Sequence, residues 1–449
     1  MKSIDQQYQA ELNKVHTAMK YDGLKRVQFL QQIVKQQVKN YPKATVIRVS
    51  GTNGKGSTIT MINNVLLAAG HRVGMFTSPY LVDPLSQVKV NGHRITQQLF
   101  LQAEHTVKTI VDALGYDFHR DVSEFESWFL IAVQVFLDQH VEFMLLECGM
   151  GGQLDATNAI DHSDYSLFTL IGLDHFKFLG NTIEAIANTK AKMIRPGEQV
   201  ISYPNQRPIV QQIIDQIATA QQAIVHVANE IKVGAPQIIK TPLHYQCTVR
   251  VDGQSIPINL PLMGAFQLAN LQTVVEWWRV FNTTAETPIS VSALQQGIAQ
   301  TKIIGRFSRL SNGWIVDGAH NRDAIRAFVN TVNTYFVDAP KVIMVGFLAD
   351  KEVQWCVHEL NALANTTFIT VTPANHDRAL TASDLADLFK RDPAIQAGRN
   401  QVRNAGSIAH GIDIFNRTTP DSVKLVVGSF YTIRGIIESL RGASHSNED

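Results

Sequence analysis

A chain of 449 residues exceeds what one ordinary core accommodates, so at least two domains are expected. With 45% hydrophobic and 18% charged residues, it has the composition of a globular protein rather than of a disordered segment or a coiled coil. Its 40 basic and 39 acidic residues leave a formal net charge of +1. No bulk field therefore directs it to nucleic acid or a membrane surface, and any anion site has to be local.

The first residues, Met1 to Gln7, are polar and have no apolar h-region, which argues against a secretory signal. No apolar run reaches the roughly 18 residues a membrane span needs. Cys148, Cys247 and Cys356 are the only cysteines, and their wide spacing fits neither a disulfide framework nor a zinc site. A cytoplasmic protein is expected.

The first forty or so positions read as helical and rich in Gln and Lys. Ala44 to Val49 is a β-branched run that breaks into glycines. A helix from Ser57 to Ala69 follows and stops at Gly70, and His71 to Phe76 reads as the next strand. This order is that of a parallel α/β sheet. It recurs with a helix over Glu124–Gln139, strands over Val141–Leu146 and Tyr165–Ile171, and a helix over Thr182–Ile194. From His244 to Leu260 the period shifts toward two, with Asp252-Gly253 as a hairpin turn.

A helix over Phe266–Phe281 closes this half, and the Thr- and Pro-containing stretch Asn282 to Ser292 reads as an approach to a linker. A second α/β series follows, with strands at Trp314–Val316, Lys341–Val345, Thr367–Val371 and Lys424–Val427. The predicted fold is a P-loop parallel-sheet domain over 1–298, followed by a smaller Rossmann-like α/β domain over 299–449.

The strongest chemical signal is Gly51-Thr52-Asn53-Gly54-Lys55-Gly56-Ser57, set between a predicted strand and a predicted helix. There, backbone N–H groups and the helix dipole converge on an anion. Lys55 can reach β/γ oxygens and Ser57 can ligate Mg²⁺. The spacing departs from GxxxxGK[ST], because Val49 stands where the first glycine would be. Glu147 ends an apolar strand, the place where open α/β sheets bind ligands, and Gly149, Gly151 and Gly152 after it leave room for one. Asp174-His175 follows another strand, and His175 is a candidate metal ligand. Lys190 lies in a helix of mixed character, where a solvated lysine is the plain reading. In the second half, Arg306, the Asp317–Asn321 run and Asp350-Lys351 cluster at strand ends and suggest a shared rim.

Ten motifs stand in consistent order along nearly the whole chain: GTNGKGS (51–57), TSP (77–79), ECGMGG (147–152) with DATN (155–158), LDH (173–175), LGNT (179–182), GAFQLAN (264–270), GRF (305–307), DGAHN (317–321), ADK (349–351) and GSFY (428–431). Together they resemble the folylpolyglutamate synthase and dihydrofolate synthase family, a branch of the Mur-type ligases. The resemblance implies an ATP- and Mg²⁺-dependent ligase that makes an acyl phosphate and joins L-glutamate to a folate or dihydropteroate, working as a monomer. Gly51, Thr52, Asn53, Gly54, Lys55, Gly56 and Ser57 would cradle the ATP phosphates. Ser57, Ser78, Glu147, His175 and a carbamylated Lys190 would hold magnesium. Gln267 and Asn270 would lie near the base. Arg306 would reach the phosphates from the domain hinge, and Asp317, His320 and Asn321 would meet nucleotide or the incoming amino acid. Lys55, Glu147, His175, Lys190 and Arg306 form the implied catalytic set.

Three positions depart from the family pattern. Ser86-Gln87-Val88 replaces an arginine-containing segment, Gly151-Gly152-Gln153 replaces GGR, and Lys190-Ala191-Lys192 replaces KAG. They bear on how pterin and glutamate are gripped, with Lys89, Arg94 and Arg120 as the remaining basic candidates. Extension of a glutamate tail is the favoured reaction. Dihydrofolate synthesis alone, a related ligase acting on another carboxylate, and a degenerate member that binds nucleotide without ligating stay open.

Overall fold

The computed structural model describes residues 3–14, 23–174, 179–240, 243–374, 377–419 and 421–445. The chain divides into two compact units: residues 1–237, 246–260 and 269–301, and residues 238–245, 261–268 and 302–449.

The first unit is built on an eight-stranded sheet. Its strands are β1 (Thr45–Ser50), β2 (Val73–Phe76), β3 (Val88–Val90), β4 (His93–Arg94), β5 (Phe143–Glu147), β6 (Tyr165–Phe168), β7 (Gln199–Ser202) and β8 (Ile224–Val227). The spatial order is β4-β3-β2-β5-β1-β6-β7-β8. Every pair from β2 to β8 is parallel, and β3 and β4 add an antiparallel edge. β1 lies between β5 and β6, with Val49 level with both Glu147 and Leu167. The loops leaving β1, β5 and β6 therefore open side by side at the carboxyl edge of the sheet, where such sheets bind ligands.

Burial on both faces explains why these strands read as continuous apolar runs. The helix Glu124–Asp138 is buried along almost its whole length, as its sequence EFESWFLIAVQVFLD, apolar all round, requires. It joins the helices Gly23–Val38 and Gln97–Ala113 in one core cluster. Helices Ile183–Ala191 and Pro208–Ala220 contribute to another, with Phe168 and Val200 of the sheet.

Several predicted elements shift or divide. The N-terminal helical stretch contains separate helices, Ile4–Leu12 and Gly23–Val38. The strand expected from His71 starts at Val73. The stretch read as an approach to a linker instead contains the end of the helix Ala265–Thr284 and leads into a further helix, Val291–Ala299. That helix packs so closely on Lys55–Ala68 that a Cβ on Gly297 would lie 2.5 Å from the Val65 backbone. The hairpin Leu243–Val251 and Gln254–Leu260 forms as expected, with Asp252 and Gly253 both at positive φ (48° and 77°), the geometry of a type I′ turn.

The second unit carries a six-stranded sheet in the order Ser308–Arg309, Ile315–Val316, Val423–Val427, Lys341–Val345, Thr366–Val371, Gln401–Gly406. Only the first pair is antiparallel. The carboxyl ends of the three neighbouring strands 315–316, 423–427 and 341–345 present Asp317, Gly428 and Gly346 along one rim. None of the described helices is long and apolar enough to cross a membrane.

Candidate active site

β1 ends at Ser50 and the chain turns through Gly51–Gly54 into the helix Lys55–Ala68. The loop is pinned to the strand beside it: Thr52 and Asn53 donate N–H groups to the Leu170 carbonyl at 2.9 and 3.2 Å. The Thr52 hydroxyl donates to the Gly172 carbonyl at 2.9 Å. Gly54 is the helix N-cap at φ 99°, a conformation that disfavours any side chain, and a Cβ there would lie 2.5 Å from the Asn270 amide oxygen. A glycine cap brings no side chain to the first turn, whose N–H groups and partial positive charge suit an anion.

Two amines meet on this loop. The Lys55 ammonium donates to the Gly51 carbonyl at 3.1 Å, and Lys190 donates to the same carbonyl at 2.9 Å. Lys190 is 4% exposed, so it is not the solvated lysine its helix suggested. Burial first, and repulsion from Lys55 second, bring its pKa down to about 7, against the opposing pull of Cys148, Asp155 and Asp174.

Glu147, the last residue of β5, is 4% exposed and faces the same turn: a Cβ on Gly56 would lie 3.8 Å from its carboxylate. Ser57 is buried in the first helical turn. Ser78 follows β2 and is half-buried. His175 lies outside the described residues, while its neighbour Asp174 is buried. The loop after Glu147 folds back on the helix that carries Lys190. Gln153 donates its N–H to the Thr189 carbonyl at 3.0 Å, and a Cβ on Gly152 would lie 2.4 Å from the Lys190 carbonyl oxygen.

Two residues support the site from behind, Asp155 of the DATN motif, to which the sequence assigned no role, and Arg48, which it did not single out. Asp155, fully buried, accepts from the N–H groups of Met150 (2.8 Å) and Thr157 (3.0 Å) and from the Thr157 hydroxyl (2.6 Å), which fixes the glycine turn. Arg48, fully buried in the middle of β1, donates to Asn158 Oδ1 at 3.0 Å and to the Met193 carbonyl at 2.6 Å, three residues beyond Lys190. It thereby ties that helix to the strand. An arginine inside the apolar run TVIRVS was the available signal, because a charge there needs a dedicated partner.

The departing positions are engaged locally. Gln87 is buried and its amide donates to the Pro84 carbonyl at 3.3 Å. Arg94 pairs with Asp83 at 3.1 Å and Arg120 with Asp121 at 3.0 Å. Lys89 is half-buried, and Lys192 is exposed at the end of its helix.

In the second unit, Asp317 accepts from the N–H groups of Phe307 and Ala319, both at 2.8 Å. Burial pushes its carboxyl up to about 6, against the pull of Arg306 and these two N–H groups. The Arg306 guanidinium lies 4.7 Å from the centre of the Phe430 ring. His320 Nδ1 is 2.7 Å from the Gly318 carbonyl. Asn321 caps the helix Arg322–Tyr335, accepting the Ala324 N–H at 3.0 Å. Asn321→Ala is therefore expected to cost about 1 kcal/mol. In calorimetry the second unit should melt about 2–4 °C lower, and an unchanged melt would show that the cap contributes nothing. Gln267 and Asn270, in the first turns of Ala265–Thr284, are fully buried.

Residues 49–276 match the Mur ligase middle domain, and residues 305–430 match the Mur ligase glutamate ligase domain. The chain is 27% identical over 401 residues to the folylpolyglutamate synthase of Lacticaseibacillus casei, covering 88% of this chain and 90% of that one. It is also 27% identical over 447 residues to the dihydrofolate synthase/folylpolyglutamate synthase of Bacillus subtilis, covering 97% and 99%. The chain belongs to the folylpolyglutamate synthase/dihydrofolate synthase branch of the Mur ligase family.

Solved structures of this branch share its fold. Escherichia coli FolC in complex with DHPP and ADP superposes with a TM-score of 0.81 at 24% identity, over 99% of each chain. A Mycobacterium tuberculosis folylpolyglutamate synthase complexed with ADP gives 0.81 at 22% identity, over 97% of this chain and 98% of that one. The glycine loop of this Mur ligase falls inside the matched middle domain, and Asp317–Asn321 falls inside the matched glutamate ligase domain.

Proposed function

We propose that this Mur ligase joins L-glutamate to a folate, with ATP consumed to activate the acceptor carboxylate as an acyl phosphate. The observation that carries this reading is the convergence of the Lys55 and Lys190 amines on one carbonyl of a glycine turn, at the N-terminus of the helix Lys55–Ala68. A carboxylate oxygen attacks the γ-phosphorus while the bond to ADP breaks. The neutral amine of glutamate then attacks the acyl carbon and phosphate leaves. The first step brings two anions together, so its barrier is largely electrostatic, and a fixed ammonium beside the phosphates lowers it.

Lys55 is assigned to the phosphates, with Ser57, Ser78 and Glu147 as oxygen donors for Mg²⁺. Their buried or half-buried carboxylate and hydroxyl oxygens suit a hard cation. When bound, that ion neutralises charge on the phosphates. Lys190, half-neutral near pH 7, is assigned to take up CO₂ as a carbamate and release one proton, which would add a further oxygen donor. Arg306 and His320 are assigned to anionic substrate groups in the second unit. A monomer is part of the proposal, tested by a light-scattering mass of one chain. So is a cytoplasmic location, supported by three buried and unpaired cysteines.

The Bacillus subtilis relative, aligned over nearly all of this chain, bears both activities in its name, which favours dihydrofolate synthesis as a second reaction. The deciding assay is glutamate-dependent phosphate release from ATP with tetrahydrofolate, with dihydropteroate, and with neither. Stimulation by tetrahydrofolate is expected, and stimulation by both marks a bifunctional enzyme. A ligase stimulated by neither acts on another carboxylate.

A further inference from the structure

Arg48 stands two residues before the end of β1, fully buried, with β5 on one side and β6 on the other. A charge in that place is costly, and apolar residues of similar volume often stabilise a core as well as a buried ion pair does. What holds the arginine there is written in how its guanidinium spends its donors.

Its counter-charge is not its main partner. The Glu198 carboxylate approaches only to 3.5 Å, outside the range of a good hydrogen bond. Glu198 accepts the Arg195 N–H at 3.0 Å instead, and its Oε2 has no hydrogen-bond partner among the described residues. Arg48 Nη2 donates at 2.6 Å to the Met193 carbonyl, and Nη1 donates at 3.0 Å to Asn158 Oδ1. Both short bonds go to neutral oxygens. An arginine kept for its ion pair would grip the carboxylate with two short, parallel bonds.

The two oxygens belong to the segments that carry the metal-site groups. Asn158 lies at the far end of the turn that starts after Glu147, and its Nδ2 donates to the Gln153 carbonyl at 2.9 Å. Met193 lies three residues beyond Lys190, just past the helix Ile183–Ala191. The two segments also touch each other directly. Gln153 donates its N–H to the Thr189 carbonyl at 3.0 Å, and Gly152 has no room for a Cβ beside the Lys190 carbonyl. Arg48 closes this contact from the strand side, holding the turn through Asn158 and the helix through Met193. Its rigid, planar fork fixes the spacing of the two oxygens it binds.

We propose that Arg48 is a positioning residue for the metal site, setting the Glu147 turn against the Lys190 helix so that both groups serve one ion. This deepens the proposed function and rests on its assignment of Glu147 and Lys190 to Mg²⁺. Arg48 acts through the Asn158 amide and the Met193 carbonyl, not by contact with the ion.

The paired variant Arg48→Met with Glu198→Gln tests this, because it removes both buried charges and leaves neither without the other. Calorimetric titration uses the non-hydrolysable ATP analogue AMPPCP on the full chain. Without Mg²⁺ its affinity should stay within about twofold of native, since Lys55 and the glycine turn are unaltered. The gain in affinity on adding Mg²⁺ should shrink about tenfold, the scale of loss when a residue that orients metal ligands is removed. In hydrogen exchange, the Gln153 amide that joins the two segments should exchange about tenfold faster.

Asn158→Ala leaves both charges in place and cuts only the link to the turn. It should give the same loss of Mg²⁺ gain, and combining it with the paired variant should cost no more, because the residues act in series. An arginine that merely fills the core would change the melting temperature and leave the Mg²⁺ gain intact. A full Mg²⁺ gain in the variants, unchanged Gln153 exchange, or additive losses would each overturn the role. A native chain that gains nothing from Mg²⁺ would instead remove the metal assignment, with Gln153 exchange still deciding whether Arg48 holds the turn.

Discussion

Lys55→Ala is expected to reduce ATP turnover by about 10²–10³-fold or more, the usual loss when one preorganised donor to a transition-state charge is removed. Lys55 is held by its own loop, with its ammonium on the Gly51 carbonyl at 3.1 Å and near the Thr52 carbonyl at 3.5 Å. Its ammonium is thus held at the loop before any nucleotide arrives, which limits the freedom lost on binding. The substitution leaves Gly54 as the helix cap and all loop-to-strand hydrogen bonds in place, so the fold should persist. Steady-state phosphate release together with ADP titration separates the outcomes. Turnover should collapse while the melting temperature stays within a few degrees. Native activity in this variant would remove the phosphate site from the glycine turn.

Lys190 carries the second large effect, on rate and stability together. Lys190→Ala should lose about 10²-fold or more in turnover. Added bicarbonate or a short carboxylate should restore part of it if a carbamate is the active form, and no recovery at any concentration would exclude that role. Stability should respond to pH with a definite sign. The amine falls from an ordinary 10.5 to about 7 in the folded chain. Below pH 7 it is protonated in both states, and the folded state carries the full cost of a buried charge, on the order of a few kcal/mol. Between pH 7 and about 10 the folded amine is neutral while the unfolded one is charged, and the cost fades. Lys190→Met should therefore exceed the native chain in urea stability most at pH 6.5, with the gap closing toward pH 9. A gap independent of pH would mean that the lysine does not titrate in this range.

Much of the nucleotide half was legible because its signals are local. Val46, Ile47 and Val49 announce a buried strand, the glycines a turn, and the helix after them completes a unit that local chemistry alone specifies. Glu147 was legible for a similar reason, as a carboxylate abruptly ending an apolar run. The burial of Lys190 was not, because its helix IEAIANTKA has too weak an apolar stripe to assign a face, and the residues that enclose it come from distant loops. The β7–β8 half of the sheet was missed because Gln199–Ser202 and Ile224–Val227 are too short for their periodicity to stand out. The helix Val291–Ala299 was hidden by the Thr and Pro residues before it, and its fit against the helix Lys55–Ala68 is a tertiary fact with no local trace. In the second unit, the sequence suggested a rim of Arg306, Asp317–Asn321 and Asp350-Lys351; the sheet sets the end of the strand before Asp317 beside the strands that end before Gly428 and Gly346. The cap role of Asn321 was visible in principle, since Asn before a helical run is a common start signal.

The turn at Gly152 and the backbone of Lys190 interlock so tightly that neither can drift alone. A methyl group at 152 would drive the lysine's own carbonyl aside, whereas one at Gly234 would meet its nearest neighbour, the Thr248 carbonyl oxygen, at an ordinary contact distance of 3.5 Å. Among descendants of this sequence, these two segments should therefore vary jointly or stay fixed, while position 234 accepts a small side chain more readily.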